Sequence, residues 1–420
     1  MVMTVDYKGK TTVKNIFLTG ATGVLGARLL MEILKSTDAN VYCLSRDENH
    51  VQALERIKDL LFVYDPSREL EEQLWRIIPV SGDVSQENLG LEDSVYAELA
   101  DSMDLLFHCA ASVNLISSYE KIAPVNYVGT QNIIDFCLAG NIPLLFASSF
   151  SMIGDKLNED GFTMYENQLD VGQEFEELNY ERSKFESERL IHEESSNGLS
   201  WAIVRPGNIW GDSETGCYPL EETTVKGIYY DIVKTLVDTG YNYNSTEDFD
   251  ITPVDYVAKA SLHIALNIHK TNGKTYHLTT PDPITNNQFV QLLRDYGYTV
   301  RELSDDDYFG AIYEERMVKD GRPYQSSFIN MLAIVIDDDL EEEKAKFDTS
   351  QIRDLLAGTD ICCHETNGEL FKKYLDYAVE KELIPSPQNQ YPLAEISDEV
   401  ENKIFMSHLY DAEDDLLMQG

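Results

Sequence analysis

Tyr180 and Lys184 stand four residues apart in Tyr180-Glu181-Arg182-Ser183-Lys184, a stretch that continues with helical patterning from Phe185 to Glu193. At that spacing a phenol and an ammonium share one helix face. A neighbouring ammonium favours the phenolate, so the pair predicts a tyrosine pKa below the usual value of about 10 and a hydroxyl able to pass a proton near neutral pH. Such pairs also decorate ordinary helices, and a third group is needed to make them an acid/base device. Ser149, after the apolar run Leu144 to Ala147, is placed to hydrogen-bond the same reacting oxygen and to stabilise negative charge developing there. Ser148 is the competing choice.

A second motif is the run Thr19-Gly20-Ala21-Thr22-Gly23-Val24-Leu25-Gly26, which follows Ile16-Phe17-Leu18 and precedes Ala27-Arg28-Leu29-Leu30. A strand that ends in glycine and opens into a helix leaves unpaired backbone N–H groups where the helix dipole is positive, and a pyrophosphate can sit there. Gly20 is expected to allow the tight turn, Gly23 to let phosphates approach, and Gly26 to let the helix pack on the strand. The run therefore reads as a dinucleotide-binding turn.

The elements that position these residues are legible from Asn15 to about Arg205. Short apolar, β-branched runs at Val41–Leu44, Ile77–Val80, Leu105–His108, Leu144–Ala147 and Trp201–Val204 alternate with longer amphipathic segments. This predicts an α/β fold of the Rossmann type, a doubly wound parallel sheet with helices on both faces. Ligands of such sheets bind at the carboxyl ends of the strands, where Ser45-Arg46, Gly82-Asp83, His108-Cys109-Ala110-Ala111, Ser148-Ser149 and Arg205-Pro206-Gly207 fall. Beyond Gly207 the alternation lapses. Residues 1–207, with a strand and a helix from about 251–280, are assigned to the cofactor-binding domain. Residues 208–250 and 281–420 are assigned to a smaller, mainly helical substrate-binding part, with Tyr218, Tyr229, Tyr230 and Tyr241 as candidate wall residues or core. Leu340 to Lys346 reads as a solvated helical face.

With 420 residues and 43% hydrophobic content the chain can bury a large core. Its 33 basic and 74 acidic residues give a net charge of −41, which argues against nucleic acid and anionic membrane as partners. The six cysteines, at 43, 109, 137, 217, 362 and 363, form no C-x-x-C pair and suit a reducing, cytoplasmic setting. The longest apolar run, Met331 to Ile336, is too short to span a bilayer, and His192-Glu193 lacks a second histidine one turn on, so no metal site is expected.

Taken together, the glycine turn, Ser149, Tyr180 and Lys184, and Arg205-Pro206-Gly207-Asn208 resemble the extended branch of the short-chain dehydrogenase/reductase superfamily. More narrowly, several segments look like the thioester reductase domains that end nonribosomal peptide and polyketide synthetases, and like carboxylic acid reductases. These are His108 to Asn114, Val125 to Thr130, Gly82-Asp83 with Asn88 to Leu91, Ile251 to Ala258 and Tyr276 to Thr279. Those reductases usually carry threonine where this chain has Ser149, which keeps the hydroxyl.

The resemblance implies catalysis by Ser149, Tyr180 and Lys184, with Lys184 also holding the nicotinamide ribose. It further implies a cofactor cradle of Thr19, Gly20, Thr22, Gly23, Val24, Leu25, Gly26, Asp83, Val84, Ala110, Ala111, Tyr180, Pro206, Gly207 and Asn208; Asp83 is alternatively a helix cap. Ser45-Arg46, with Arg56 one helix later, stands where an NAD-preferring fold would place an acid. Arginine suits a 2′-phosphate, so the expected cofactor is NADPH, unless Arg46 caps a helix or pairs with Asp47 or Glu48. The implied partner is an acyl- or peptidyl-carrier protein presenting a thioester on its phosphopantetheine arm, and the implied product is an aldehyde, with further reduction to an alcohol left open. A nucleotide-sugar epimerase or dehydratase, or a non-catalytic NADP sensor, would share the fold. The sequence leaves open whether the domain stands alone as a monomer or belongs to a larger synthetase.

Overall fold

The computed structural model describes residues 13–396 other than 48, 116, 221–226, 244–247, 315, 327 and 330–344. Seven parallel strands make its central sheet: β1 (Asn15–Thr19), β2 (Asn40–Ser45), β3 (Ile77–Ser81), β4 (Leu105–His108), β5 (Leu144–Ala147), β6 (Trp201–Pro206) and β7 (Lys274–Leu278), in the spatial order β7-β6-β5-β4-β1-β2-β3. The buried β-branched and aromatic runs make these strands because a parallel sheet covered on both faces needs apolar side chains pointing both ways. β4 and β5 are buried throughout. Each expected strand is present with its ends within two residues of the apolar run, and β6 extends through Arg205 and Pro206.

β1 lies between β2 and β4, so Thr19 faces Leu44 on one side and His108 on the other. The order of connection reverses at β1, and sheets of this kind bind ligands beyond the carboxyl ends of the strands at that point, here β1 and β4. Helices α1 (Val24–Ser36), α2 (His50–Tyr64), α3 (Asp93–Ser102), α4 (Tyr119–Ala123), α5 (Gly129–Gly140), α6 (Asn179–Glu194) and α7 (Val254–Leu266) complete the layers. One face of the sheet buries Phe17, Leu106, Phe136, Phe146 and Ile203 in a shared core.

The chain divides into two compact units. The first comprises residues 1–225, 250–284 and 343–377, so it takes in 208–225 and 343–377, which the sequence reading places in the C-terminal part. Lys346–Phe347 forms a strand against Thr163–Met164 where a helical face was expected. The buried Glu166 carboxylate accepts the N–H groups of His277, Gln351 and Ile352, which fixes the helix Ser350–Leu356 to β7. The second unit, residues 226–249, 285–342 and 378–420, contains the helices Ile228–Thr239, Asn286–Tyr296 and Asp305–Tyr313. It adds short strands that helical patterning did not predict, among them Tyr241–Tyr243 beside Arg301–Leu303. Met331 to Ile336 and the acids of 340–344 lie outside the described residues. No helix among the described residues is long and apolar enough to cross a membrane.

Candidate active site

The glycine turn has the backbone its residues demand. Gly20 sits at φ +77°, in the left-handed region, and a Cβ there would lie 2.7 Å from the Ala110 nitrogen. At Gly26 a Cβ would come within 2.0 Å of the Gly20 carbonyl oxygen, so only glycine lets α1 start this close to β1. A Cβ at Gly23 would meet that oxygen at 3.3 Å, a milder conflict. Gly23 is the N-cap of α1; no side chain caps the helix, and its first turn carries no acid. In a chain of charge −41, this leaves an acid-free set of N–H donors at the switch point. Thr22, Val24 and Leu25 are part-exposed around it. These residues fit a dinucleotide.

Thr19 supports the turn from below. Its hydroxyl meets His108 Nδ1 at 2.8 Å and accepts the Ala110 N–H at 3.2 Å, which ties the end of β1 to the loop after β4. Burial holds the His108 imidazole neutral, with its pKa lowered to about 3. Asp83 spends one carboxylate oxygen locally, accepting the Ser85 N–H and hydroxyl. The Val84 side chain is buried against Gly129.

At the exit of β2, Arg56 pairs with Asp47 at 2.7 Å, and Ser45 donates to the same carboxylate at 2.6 Å. These contacts hold Asp47 below the usual carboxylate range. Arg46 is exposed, and its charge also bears on Asp47. Of the two arginines expected at a 2′-phosphate, Arg46 is exposed, and it is Arg56 rather than Arg46 that pairs with Asp47.

α6 begins at Asn179, so Tyr180 and Lys184 lie on its first two turns. The Ser149 hydroxyl is within hydrogen-bonding reach of the half-buried Tyr180 phenol. Both serines follow the end of β5. The Ser148 hydroxyl is buried with no hydrogen-bond partner among the described residues.

The Lys184 ammonium donates to the Ala147 carbonyl at 2.8 Å and stands 5.9 Å from the centre of the Tyr180 ring. The phenol differs from expectation: burial, then the neighbouring Glu181 carboxylate, push its pKa well above the ordinary value, and the Ser149 contact only partly opposes them. Burial also lowers Lys184, to about 8, because an ammonium away from water is destabilised more than the nearby Glu188 can offset. If Lys184 grips an anionic cofactor as an ammonium, binding should weaken about tenfold per pH unit above about 8 and be flat with pH in Lys184→Met, as followed by nucleotide fluorescence.

Two positioning residues were given no role from the sequence: Asn126, named only within the Val125–Thr130 resemblance, and Asp250. Asn126 is buried in a single π-helical turn, Pro124–Val128. It accepts the Ser112 N–H at 2.7 Å and donates to the Ser112 carbonyl and to Ser183 Oγ, at 3.0 and 2.9 Å. The loop after β4 is thereby locked to α6. Asp250, its carboxyl raised to about 7 by burial, accepts the N–H groups of Asn208 and Thr280, both at 2.9 Å, and the Thr252 hydroxyl. It pins Gly207-Asn208 beyond β6, and a Cβ on Gly207 would lie 2.3 Å from its oxygen. Buried asparagine and aspartate in otherwise apolar segments were the available signals. Pro206 pairs in register with Leu278. Tyr218 and Tyr230 are buried in the core rather than lining a wall, while Tyr229 and Tyr241 are half-buried.

A family model described as male sterility protein, an NAD-binding domain, matches residues 18–261, more than half of the 420. The chain belongs to the male sterility protein family. Within this family's fold it is an oxidoreductase domain of the extended short-chain dehydrogenase/reductase type that takes a nicotinamide dinucleotide. It is 29% identical over 361 residues to a linear gramicidin synthase protein of Brevibacillus parabrevis, covering 86% of this chain and 7% of that protein. The chain thus spans a small part of the length of that relative. Among solved structures it is similar to the terminal R domain from the myxalamid PKS-NRPS biosynthetic pathway, at TM-score 0.78 and 28% identity, over 89% of this chain and 92% of that one. It is also similar to a thiolation-reductase di-domain from an archaeal nonribosomal peptide synthetase, at TM-score 0.72 and 26% identity, over 88% of this chain and 76% of that one.

Proposed function

We propose that this chain is an NADPH-dependent reductase that releases a carrier-bound acyl, aminoacyl or peptidyl thioester as an aldehyde. The observation that carries the reading is the placement of the Tyr180 phenol beside Ser149 and Lys184, after the carboxyl end of β5 in a sheet shared with terminal reductase domains. The thiolation-reductase pair supports a carrier protein as partner.

The reduced nicotinamide, when bound, supplies a hydride. The thioester carbonyl oxygen gains negative charge as its carbon is reduced, and the residues here meet that charge. Tyr180, a phenol protonated at neutral pH, serves as the proton donor to that oxygen. Ser149 donates a second hydrogen bond to the same oxygen. Lys184, fixed through the Ala147 carbonyl, brings positive charge to the ribose side and stiffens the α6–β5 contact. Collapse of the resulting thiohemiacetal breaks the C–S bond, returns the thiol to the carrier arm with a proton, and frees the aldehyde. A second round of reduction would give the alcohol. The absorbance of NADPH in the presence of an acyl-pantetheine thioester tests this: steady consumption is expected, whereas binding without consumption would make the domain a sensor.

The preference for NADPH rests on Arg46 and Arg56. Arg46→Ala should raise the KM for NADPH by about 10- to 100-fold and leave that for NADH within about twofold, since a charge-assisted bond to phosphate is lost only with the phosphorylated cofactor. Equal losses with both cofactors would remove Arg46 from recognition of the 2′-phosphate.

A further inference from the structure

Ser149 has a second hydroxyl neighbour that no role above absorbs. Ser151 Oγ lies 2.8 Å from Ser149 Oγ, and the Ser151 N–H donates to the same oxygen at 3.2 Å. Both side chains are 9% exposed. Ser149 is the N-cap of the short helical stretch Phe150–Asn158, which places Ser151 over it.

A hydroxyl oxygen has two lone pairs and one proton. Among the described residues the Ser149 oxygen is the acceptor that the buried Ser151 proton meets, and a buried donor left unpaired is costly. The Ser149 proton, by contrast, has an alternative acceptor in the Tyr180 phenol. The bond therefore runs from Ser151 to Ser149. With both lone pairs of Ser149 filled by Ser151, one from its N–H and one from its O–H, the Ser149 hydroxyl can act only as a donor, and the Tyr180 phenol is the neighbour able to accept from it.

We infer that Ser151 is a positioning residue that fixes the direction of the Ser149 proton, so that Ser149 is a committed donor toward the phenol or toward a carbonyl oxygen bound beside it. This rests on the catalytic reading of Ser149 and Tyr180, and goes beyond it by assigning a residue that does not touch substrate. Without the Ser151 hydroxyl, one lone pair of Ser149 is free to accept from Tyr180, and the two hydroxyls then compete over which donates to the substrate.

Ser151→Ala, Ser151→Thr, Ser149→Ala and Tyr180→Phe are compared in the full chain, with two readouts. The first is steady-state reduction of an acyl-pantetheine thioester. Ser151→Ala should lower kcat about tenfold with KM and melting temperature unchanged, and Ser151→Thr should restore most of the rate. The second is the 13Cζ resonance of Tyr180 in protein labelled with [ζ-13C]tyrosine and free of ligand, assigned by its loss in Tyr180→Phe. Ser151→Ala should move that resonance in the same direction as Ser149→Ala. If Ser149→Ala and Tyr180→Phe abolish turnover while Ser151→Ala changes neither rate nor resonance, the inference fails and the catalytic reading stands. If Ser149→Ala and Tyr180→Phe leave turnover intact, the catalytic reading fails, and the resonance alone still decides whether Ser151 orients Ser149.

Discussion

Replacing Tyr180 by Phe lowers kcat for thioester reduction by about a hundredfold or more while the Kd for NADPH changes by less than about threefold, because the proton donor is lost and the cofactor cradle is not. The phosphate end of the proposed cradle is backbone at Gly20–Gly26, remote in sequence from α6, whereas the phenol stands on the first turn of α6 beside Ser149. A large loss in kcat with binding intact assigns Tyr180 to the step in which carbonyl oxygen becomes charged. A matching loss in cofactor affinity would instead make the hydroxyl chiefly a cofactor contact. Near-normal turnover would exclude it from the chemistry.

The second large effect concerns the support of that helix. Glu188 on α6 and Arg205 on β6 are both fully buried and paired in fork geometry, with Nη2–Oε2 at 2.7 Å and Nε–Oε1 at 2.9 Å. The guanidinium also donates to the Gln168 carbonyl and meets His277 Nε2, and burial together with Arg205 holds that imidazole neutral. Removing one partner strands a charge where water cannot reach it. Glu188→Ala should cost about 3–5 kcal/mol of unfolding free energy, read as a lower denaturation midpoint. Replacing both partners together by leucine and methionine should cost much less, since no unpaired charge remains. A single-variant loss below about 1 kcal/mol would mean that the pair contributes no more than a surface ion pair.

The sheet was legible because burial on both faces writes continuous apolar runs, and strand ends are where glycine, serine and arginine interrupt them. The glycine turn and the Tyr180–Lys184 spacing are local, so they too survive a reading from sequence alone. What does not survive is partnership across the chain. Asn126 finds Ser183 across 57 positions, Asp250 finds Asn208 across 42, and Glu188 finds Arg205 through a strand and a helix that meet only after folding. The direction of the Tyr180 shift was missed for a related reason: spacing shows that Lys184 is near, but not that its ammonium donates to the Ala147 carbonyl or that burial and Glu181 push the phenol up. Nor does the sequence show that Asp47 pairs with Arg56, nine residues on, at 2.7 Å.

The central claim is that hydride reaches a thioester carbon held beside Tyr180 and Ser149. The most direct measurement offers the chain a carrier-bound acyl thioester with NADPH deuterated at the transferring position, and analyses the released product by mass spectrometry. The account predicts an aldehyde with one deuterium on its carbonyl carbon for each NADPH consumed, or an alcohol with two. Release of a carboxylic acid, or an intact thioester with the cofactor unconsumed, would contradict it.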